Sequence, residues 1–159
     1  MKRRQFLVGT ALSAAPTILT SAKTAEPTVI VGHGDHQYRV EKNWSKGNHA
    51  AVPLNNCHEM VQASDGRLFL LTDYAKNNIL IYKTDGTLLD HWTLNSRSAH
   101  GLTLGREGNK EFLYITLTSG KVVKTTLEGK VVLELASPLV NKAYSTKSPY
   151  APTETAIAP

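Results

Sequence analysis

The sequence predicts an all-β fold, a β-propeller built from repeated four-stranded modules. Residues 58–66 begin with His and end with an acidic residue and Gly, and 100–108 repeat this pattern 42 residues later. Residues 83–89, with a central Asp-Gly, are matched by 126–132, with a central Glu-Gly. A third copy begins near Thr153. A period of about 40 to 45 residues, with short apolar runs between Gly turns, is typical of propeller modules.

The first module, residues 58–95, is predicted to contain four strands. Apolar runs bounded by turn residues place them at 58–63, 67–72, 79–82 and 88–94. Asp-Gly pairs at 65–66 and 85–86 supply two of the turns, because Gly adopts positive φ without steric penalty. Two such hairpin signals in one module exclude a helix there.

The second module, residues 100–136, repeats this plan. Its strands are predicted at 100–104, 111–117, 121–125 and 131–135. Glu-Gly pairs replace the Asp-Gly pairs, and Ser119-Gly120 makes a shorter middle turn.

The flanking segments are predicted from period and composition. Residues 37–44 alternate polar and apolar side chains, which indicates a strand that closes the ring of a propeller. A polar loop follows at 45–56. Residues 136–151 form a long loop with several prolines, either a lid carrying Tyr144 and Tyr150 or an inert surface excursion. Because the third copy is cut short, we expect a fragment, the N-terminal part of a longer propeller.

The charge distribution argues against a nucleic-acid partner, and the cysteine content excludes an intrachain disulfide framework. Four of the basic residues lie in the first 25 residues, which leaves 14 basic against 13 acidic residues in the remainder. Without a basic stripe, we expect no nucleic-acid partner. Cys57 is the only cysteine, so there is no intrachain disulfide framework, and we expect it to be buried as a small apolar residue.

Residues 1–25 have the composition of an export signal. Arg3-Arg4 precede a short, weakly apolar run that is too short to span a bilayer, and small residues follow near Ala22 and Ala25. The arginine pair resembles the twin-arginine signal. We therefore expect an exported protein, periplasmic or secreted, with no stable membrane insertion after removal of the signal. The alternative is an uncleaved anchor or a tail.

Together these motifs resemble NHL repeats of six-bladed propellers. The likeness rests on His-Gly-Leu-Thr at 100–103, Glu-Phe-Leu-Tyr-Ile-Thr at 111–116, Gly-Lys-Val-Val-Lys-Thr-Thr-Leu-Glu-Gly at 120–129 and the third copy at 152–159. It covers nearly everything after residue 28. The chain is particularly similar to exported bacterial relatives of peptidyl-α-hydroxyglycine α-amidating lyase. The resemblance implies zinc held by channel histidines, stabilising calcium, and an Arg and a Tyr that assist catalysis.

The candidate site residues follow from the repeat. Inner strands of successive modules line the central channel, so His58 and His100 are expected to approach each other as metal ligands. The same two residues match the family's zinc histidines, although Cys57 and Ala99 stand where the family has Pro. Catalytic zinc needs three protein ligands, so a third must come from elsewhere. The alternative is two polar histidines satisfied by backbone groups.

Other candidates are weaker in pattern. Arg97, just before His100, could bind a carboxylate, and Tyr144 and Tyr150 lie in the long loop. His33-Gly-Asp-His36 has ligand-like residues in a Gly loop, whereas His49 is expected to be solvated. No residue matches the family's catalytic Arg or Tyr.

Two functions remain open at this point. The first is a metal-dependent lyase or hydrolase that acts on a small peptide or small molecule. The second is a non-catalytic propeller that presents its loop face to a protein, peptide or glycan.

Overall fold

The structure, a computed structural model, describes residues 28–142 and 150–158. The described residues form an all-β structure with one short 3-10 helix, Pro138–Asn141. The strands are β1 (Val29–His33), β2 (His36–Val40), β3 (Cys57–Gln62), β4 (Leu68–Thr72), β5 (Ile79–Tyr82), β6 (Leu88–Trp92), β7 (Ala99–Glu107), β8 (Lys110–Leu117), β9 (Lys121–Thr126) and β10 (Val131–Leu135). The chain divides into two compact units, residues 1–40 and 41–159. The predicted export signal and Tyr144 lie outside the described residues.

The first unit contains a single hairpin of β1 and β2. The strands pair antiparallel from Val29 opposite Val40 to His33 opposite His36, around a turn with Gly34 at φ 56°. The alternating segment predicted as a strand is β2, but the sequence analysis missed its partner β1. The reason is that residues 29–31 form a short continuous apolar run, which carries no alternation.

The second unit contains two four-stranded antiparallel sheets. The first has the order β3-β4-β5-β6 and the second β7-β8-β9-β10, so each strand pairs with its neighbour in sequence. The eight predicted strands are confirmed, most within one or two residues. The main difference is β7, which extends to Glu107 because it pairs with β8 as far as Lys110. None of the sheets formed by the described residues closes on itself.

The two four-stranded sheets pack against each other through one apolar core. Both modules contribute to this core. The first provides Ala63, Phe69, Leu71, Ile79 and Ile81, and the second provides Ala99, Leu102, Leu113, Ile115, Leu117 and Val123. The first strand of the second sheet, β7, contacts β3 and β4. The first strands of the two modules are therefore neighbours.

In each module, a carbonyl of the last turn accepts a hydrogen bond from a tryptophan. Trp44 Nε1 donates to Thr84 O at 3.0 Å, and Trp92 Nε1 donates to Leu127 O at 3.1 Å. The two acceptors stand 43 residues apart, each directly before the acidic-Gly pair of its module. A Cβ at Gly129 would lie 2.6 Å from the Trp92 ring. Gly is therefore required in this turn for close approach as well as for its positive φ of 84°.

The start of the third copy lies along β7. Thr103 Oγ1 donates to Thr155 O at 2.6 Å, and Thr116 Oγ1 lies 2.7 Å from Thr155 Oγ1. A Cβ at Gly101 would lie 2.5 Å from Thr153 O, so Gly permits the two chains to meet there. Residues 153–157 thus lie beside β7.

One packing prediction was wrong. Cys57 is exposed rather than buried. It opens β3, which is the edge strand of its sheet, and the register shifts between Cys57 and Met60. The side chain is therefore turned away from the core.

Candidate functional site

The imidazoles of His58 and His100 lie together. Their ring centroids are 4.4 Å apart and their planes are inclined by 31°. His58 is the second residue of β3 and His100 the second of β7, so the pair forms because equivalent positions of neighbouring first strands face the same space. The predicted approach of the two rings is confirmed. Metal binding by them stays a prediction.

A carboxylate lies beside His58. Its Nε2 lies 3.7 Å from Asp73 Oδ2, and both side chains are largely covered, with 21% and 17% of their surface exposed. Asp73 accepts hydrogen bonds from Asn56 N at 3.1 Å and Asn56 Nδ2 at 2.8 Å. Burial raises the pKa of Asp73, but the bonds from Asn56 and Asn55 outweigh it and hold this pKa below its ordinary value. The carboxylate therefore stays charged beside His58.

His100 is oriented by a backbone carbonyl. Its Nδ1 lies 3.1 Å from Thr153 O, in the segment that begins the third copy. A carbonyl oxygen can only accept, so Nδ1 carries the proton and the lone pair of the neutral ring lies on Nε2. This is the arrangement in which a histidine holds a metal with one nitrogen and an acceptor with the other.

A pair of glutamates flanks the histidines. Glu59 Oε2 accepts from Leu102 N at 2.5 Å, and the Glu59 carboxyl also shares a hydrogen bond with Glu154. Burial and this bond raise the pKa of Glu59, whereas the same bond lowers the pKa of Glu154. The shared bond therefore shifts the two pKa values in opposite directions, upward for Glu59 and downward for Glu154.

Sequence reasoning missed this pair, although the repeat contains the signal. Glu59 follows His58, Gly101 follows His100, and Glu154 follows Thr153 at the third equivalent position. The two glutamates stand on either side of a position that has no side chain. A Cβ at Gly101 would lie 3.0 Å from Glu154 Cα, so the glycine allows the segment that carries Glu154 to approach β7.

Arg97 lies in a cleft next to the His58 support. The cleft has a volume of about 510 Å³ and is lined by Leu54, Asn55, Asp73, Tyr74, Ala75, Lys76 and Arg97. Lys76 and Arg97 form no ion pair with any other described residue. A ligand in this cleft would lie near two cations and Asp73, whose carboxylate is 3.7 Å from His58 Nε2.

The other candidates are not brought to the histidines. Tyr150 is half-buried, and its carbonyl oxygen lies near Gly120, at the middle turn of the second module. His33 and His36 pair across the hairpin turn of the first unit and are exposed. His49, expected to be solvated, is instead half-buried, and its Nε2 lies 2.8 Å from Ser45 Oγ. The sequence offered no periodic signal for this contact, because it lies within an irregular loop.

The donor set fits part of a metal centre. His58 lies 3.7 Å from a carboxylate oxygen and His100 bonds a carbonyl, but no three His, Cys, Asp or Glu side chains among the described residues are arranged to hold a metal. With zinc–nitrogen distances of about 2.1 Å and tetrahedral angles, two coordinated rings would have centroids about 5 Å apart. The observed 4.4 Å is shorter, so the rings would have to separate by about 0.6 Å.

Comparison with known proteins gives no family. No protein-family model matches the chain, and neither the curated proteins nor the solved structures contain a significant match. Among the described residues, no helix has the length and apolar character needed to cross a membrane.

Proposed function

We propose that this chain belongs to an exported β-propeller protein of the NHL type, in which His58 and His100 contribute to a metal centre at the mouth of the central channel. The centre would serve a lyase or hydrolase reaction on a small peptide or small molecule, as in relatives of peptidyl-α-hydroxyglycine α-amidating lyase. Zinc bound there would act as a Lewis acid on a substrate oxygen.

The propeller proposal is supported by the way the modules succeed one another. β3, β7 and residues 150–158 follow side by side, and each is the first segment of its module. A tryptophan bonds the last turn of each module, and the two acceptor carbonyls, Thr84 O and Leu127 O, are 43 residues apart in sequence. An experimental structure in which residues 150–158 lie away from β7 would contradict this arrangement.

One observation carries the metal proposal: the 4.4 Å contact of two imidazoles at equivalent positions of the repeat. Packing alone would account for two histidines in contact. A carboxylate oxygen 3.7 Å from the His58 ring and a carbonyl that accepts from His100 Nδ1 add to this support, because histidine ligands of metals have such acceptors beside them.

Metal content tests this proposal directly. The full chain is loaded with zinc, dialysed, and analysed for zinc and calcium alongside His58→Ala, His100→Ala and the double variant. His91→Ala, at an exposed position of β6, is the matched control. We expect zinc in the wild type and the control and its loss in the double variant. Equal zinc in all proteins, or none in any, would overturn the proposal.

Cobalt gives a readout that does not depend on activity. Cobalt bound by imidazoles has a visible absorption spectrum that reports its ligands. We expect this spectrum to change on His58→Ala and on His100→Ala, and to be unchanged in His91→Ala.

A second function, non-catalytic binding, is favoured by the cleft at Arg97. Its two cations without an ion-pair partner among the described residues fit a carboxylate-bearing ligand. A short peptide with a free C-terminal carboxylate should bind more tightly than its amide, and Arg97→Gln should remove the difference, whereas Lys83→Gln in an exposed turn should not. Binding without any metal dependence would favour this second function.

Export is proposed from the sequence alone. Replacement of Arg3-Arg4 by Lys-Lys should retain the protein in the cytoplasm if the twin-arginine route is used. Unchanged export of this variant would exclude that route.

A further inference from the structure

The loop before β3 contains a hydrogen-bonded serine and histidine that the proposed metal centre does not use. Ser45 Oγ lies 2.8 Å from His49 Nε2, and both residues are half-buried. His49 Nδ1 lies 3.4 Å from Val52 O. Because that carbonyl can only accept, Nδ1 carries the proton and the Nε2 lone pair faces the serine hydroxyl. This is the tautomer a histidine needs to take a proton from serine.

The loop is held on both sides of the pair. Lys46 N donates to Gly86 O at 2.8 Å, which fixes the chain directly after Ser45. Ala51 N and Val52 N both donate to Asn48 O, at 3.0 and 2.9 Å, which fixes the chain directly after His49. The serine, the base and the carbonyl that orients the base therefore form a preset arrangement within eight residues.

A third side chain can support a charge on the serine oxygen. Ser45 Oγ lies 3.2 Å from the hydroxyl of Tyr82, which is fully buried. The serine has a single proton, which it can give either to Tyr82 or to His49. When it goes to His49, the tyrosine hydroxyl is free to donate to Oγ. Gly47 N, 3.4 Å from Oγ, is the nearest backbone donor on the other side.

We propose that Ser45 is a nucleophile and His49 its general base in acyl transfer from small activated esters. Ser45 Oγ bonds to the acyl carbon while its proton passes to His49 Nε2. The bond from that carbon to the alcohol oxygen breaks, and His49 gives the proton to the departing oxygen. Water then attacks the acyl-serine, its proton passes through Nε2 to Ser45 Oγ, and the acid is released. Ester and water are thus converted to acid and alcohol, and none of these steps uses a metal.

A fluorophosphonate probe tests the proposal on the full chain. We expect one phosphonyl adduct per chain, located on Ser45 by peptide mass spectrometry and unaffected by a metal chelator. Ser45→Ala should abolish labelling, and His49→Gln should slow it at least tenfold. Ser64→Ala is the control, because Ser64 also bonds a side chain, Glu111, but has no histidine. It should label like the wild type.

The outcomes separate a nucleophile from a structural contact. No adduct on wild-type Ser45, or labelling at an equal rate in His49→Gln, would mean that the pair only anchors the loop, and the proposal would be overturned. If His49→Gln fails to fold, as judged by circular dichroism, the wild-type adduct and its dependence on His49→Asn decide. Because labelling is also measured in the presence of a metal chelator, its result does not depend on the proposed metal centre.

Discussion

The side chain of Asn78 has six hydrogen-bond contacts with other described residues. Replacing it with a charged side chain gives a quantitative test of what these contacts contribute to stability. Asn78 is fully buried. Its oxygen accepts from Thr93 Oγ1, Leu94 N and Ser96 N, and its nitrogen faces the carbonyls of Thr72, Tyr74 and Ser96 at 3.0, 3.4 and 2.7 Å. All donors lie on one side and all acceptors on the other, so the amide has one possible orientation. It holds the segment that leads to Arg97 and His100.

Asn78→Asp keeps the shape but places an oxygen against carbonyl oxygens. A buried charge without a partner costs about 3–5 kcal/mol, against a total stability of about 5–15 kcal/mol for a domain. The new carboxyl can restore a donor only by binding a proton, so its pKa in the folded state is raised above about 3.9. A group with a raised folded pKa loses stability as pH rises. A penalty of about 3 kcal/mol corresponds to about 2 pH units, so the deficit should grow between about pH 4 and pH 6.

Urea unfolding followed by tryptophan fluorescence measures this deficit at pH 5 and pH 7. Asn109→Asp, in an exposed turn, is the matched control and should change the free energy of unfolding little at either pH. The reasoning would be refuted if both variants lost the same stability, or if the deficit of Asn78→Asp did not depend on pH.

Three further predictions concern the contacts around the histidines and between the sheets. Gly101→Ala should lower the free energy of unfolding by about 1–3 kcal/mol through overpacking, because its Cβ meets backbone atoms of residues 153 and 154. Gly105→Ala, on the same strand, meets only side-chain atoms and should cost less. Urea unfolding of both variants compares the two losses. Trp92→Phe should lose about 1 kcal/mol with the bond to Leu127 O, and an equal melting temperature would contradict this. Asp73 has a lowered pKa in the folded state, so its contribution to the free energy of unfolding is present above about pH 3.9 and is lost as pH falls through the folded pKa. Asp73→Asn should therefore flatten the acid limb of a pH–stability curve.

The sequence by itself determined the strands of the two modules. Apolar runs between acidic-Gly turns are local signals, because the turn requires positive φ and the strand requires a continuous apolar face, and both requirements are written in adjacent residues. The 42-residue repeat also sufficed to pair His58 with His100, because equivalent positions of stacked modules face the same space. The second strand of the first hairpin, β2, was likewise visible as an alternating pattern.

Only the tertiary structure decided which partners these residues meet. Glu59 shares a hydrogen bond with Glu154, 95 residues away, and the position of the proton on His100 depends on a carbonyl 53 residues away. The Ser45–His49 contact depends on how an irregular loop folds over Tyr82. Such contacts join segments distant in sequence or set by irregular backbone, and no periodic pattern records them, since hydrogen-bond geometry is fixed by the packing of whole sheets rather than by neighbouring residues.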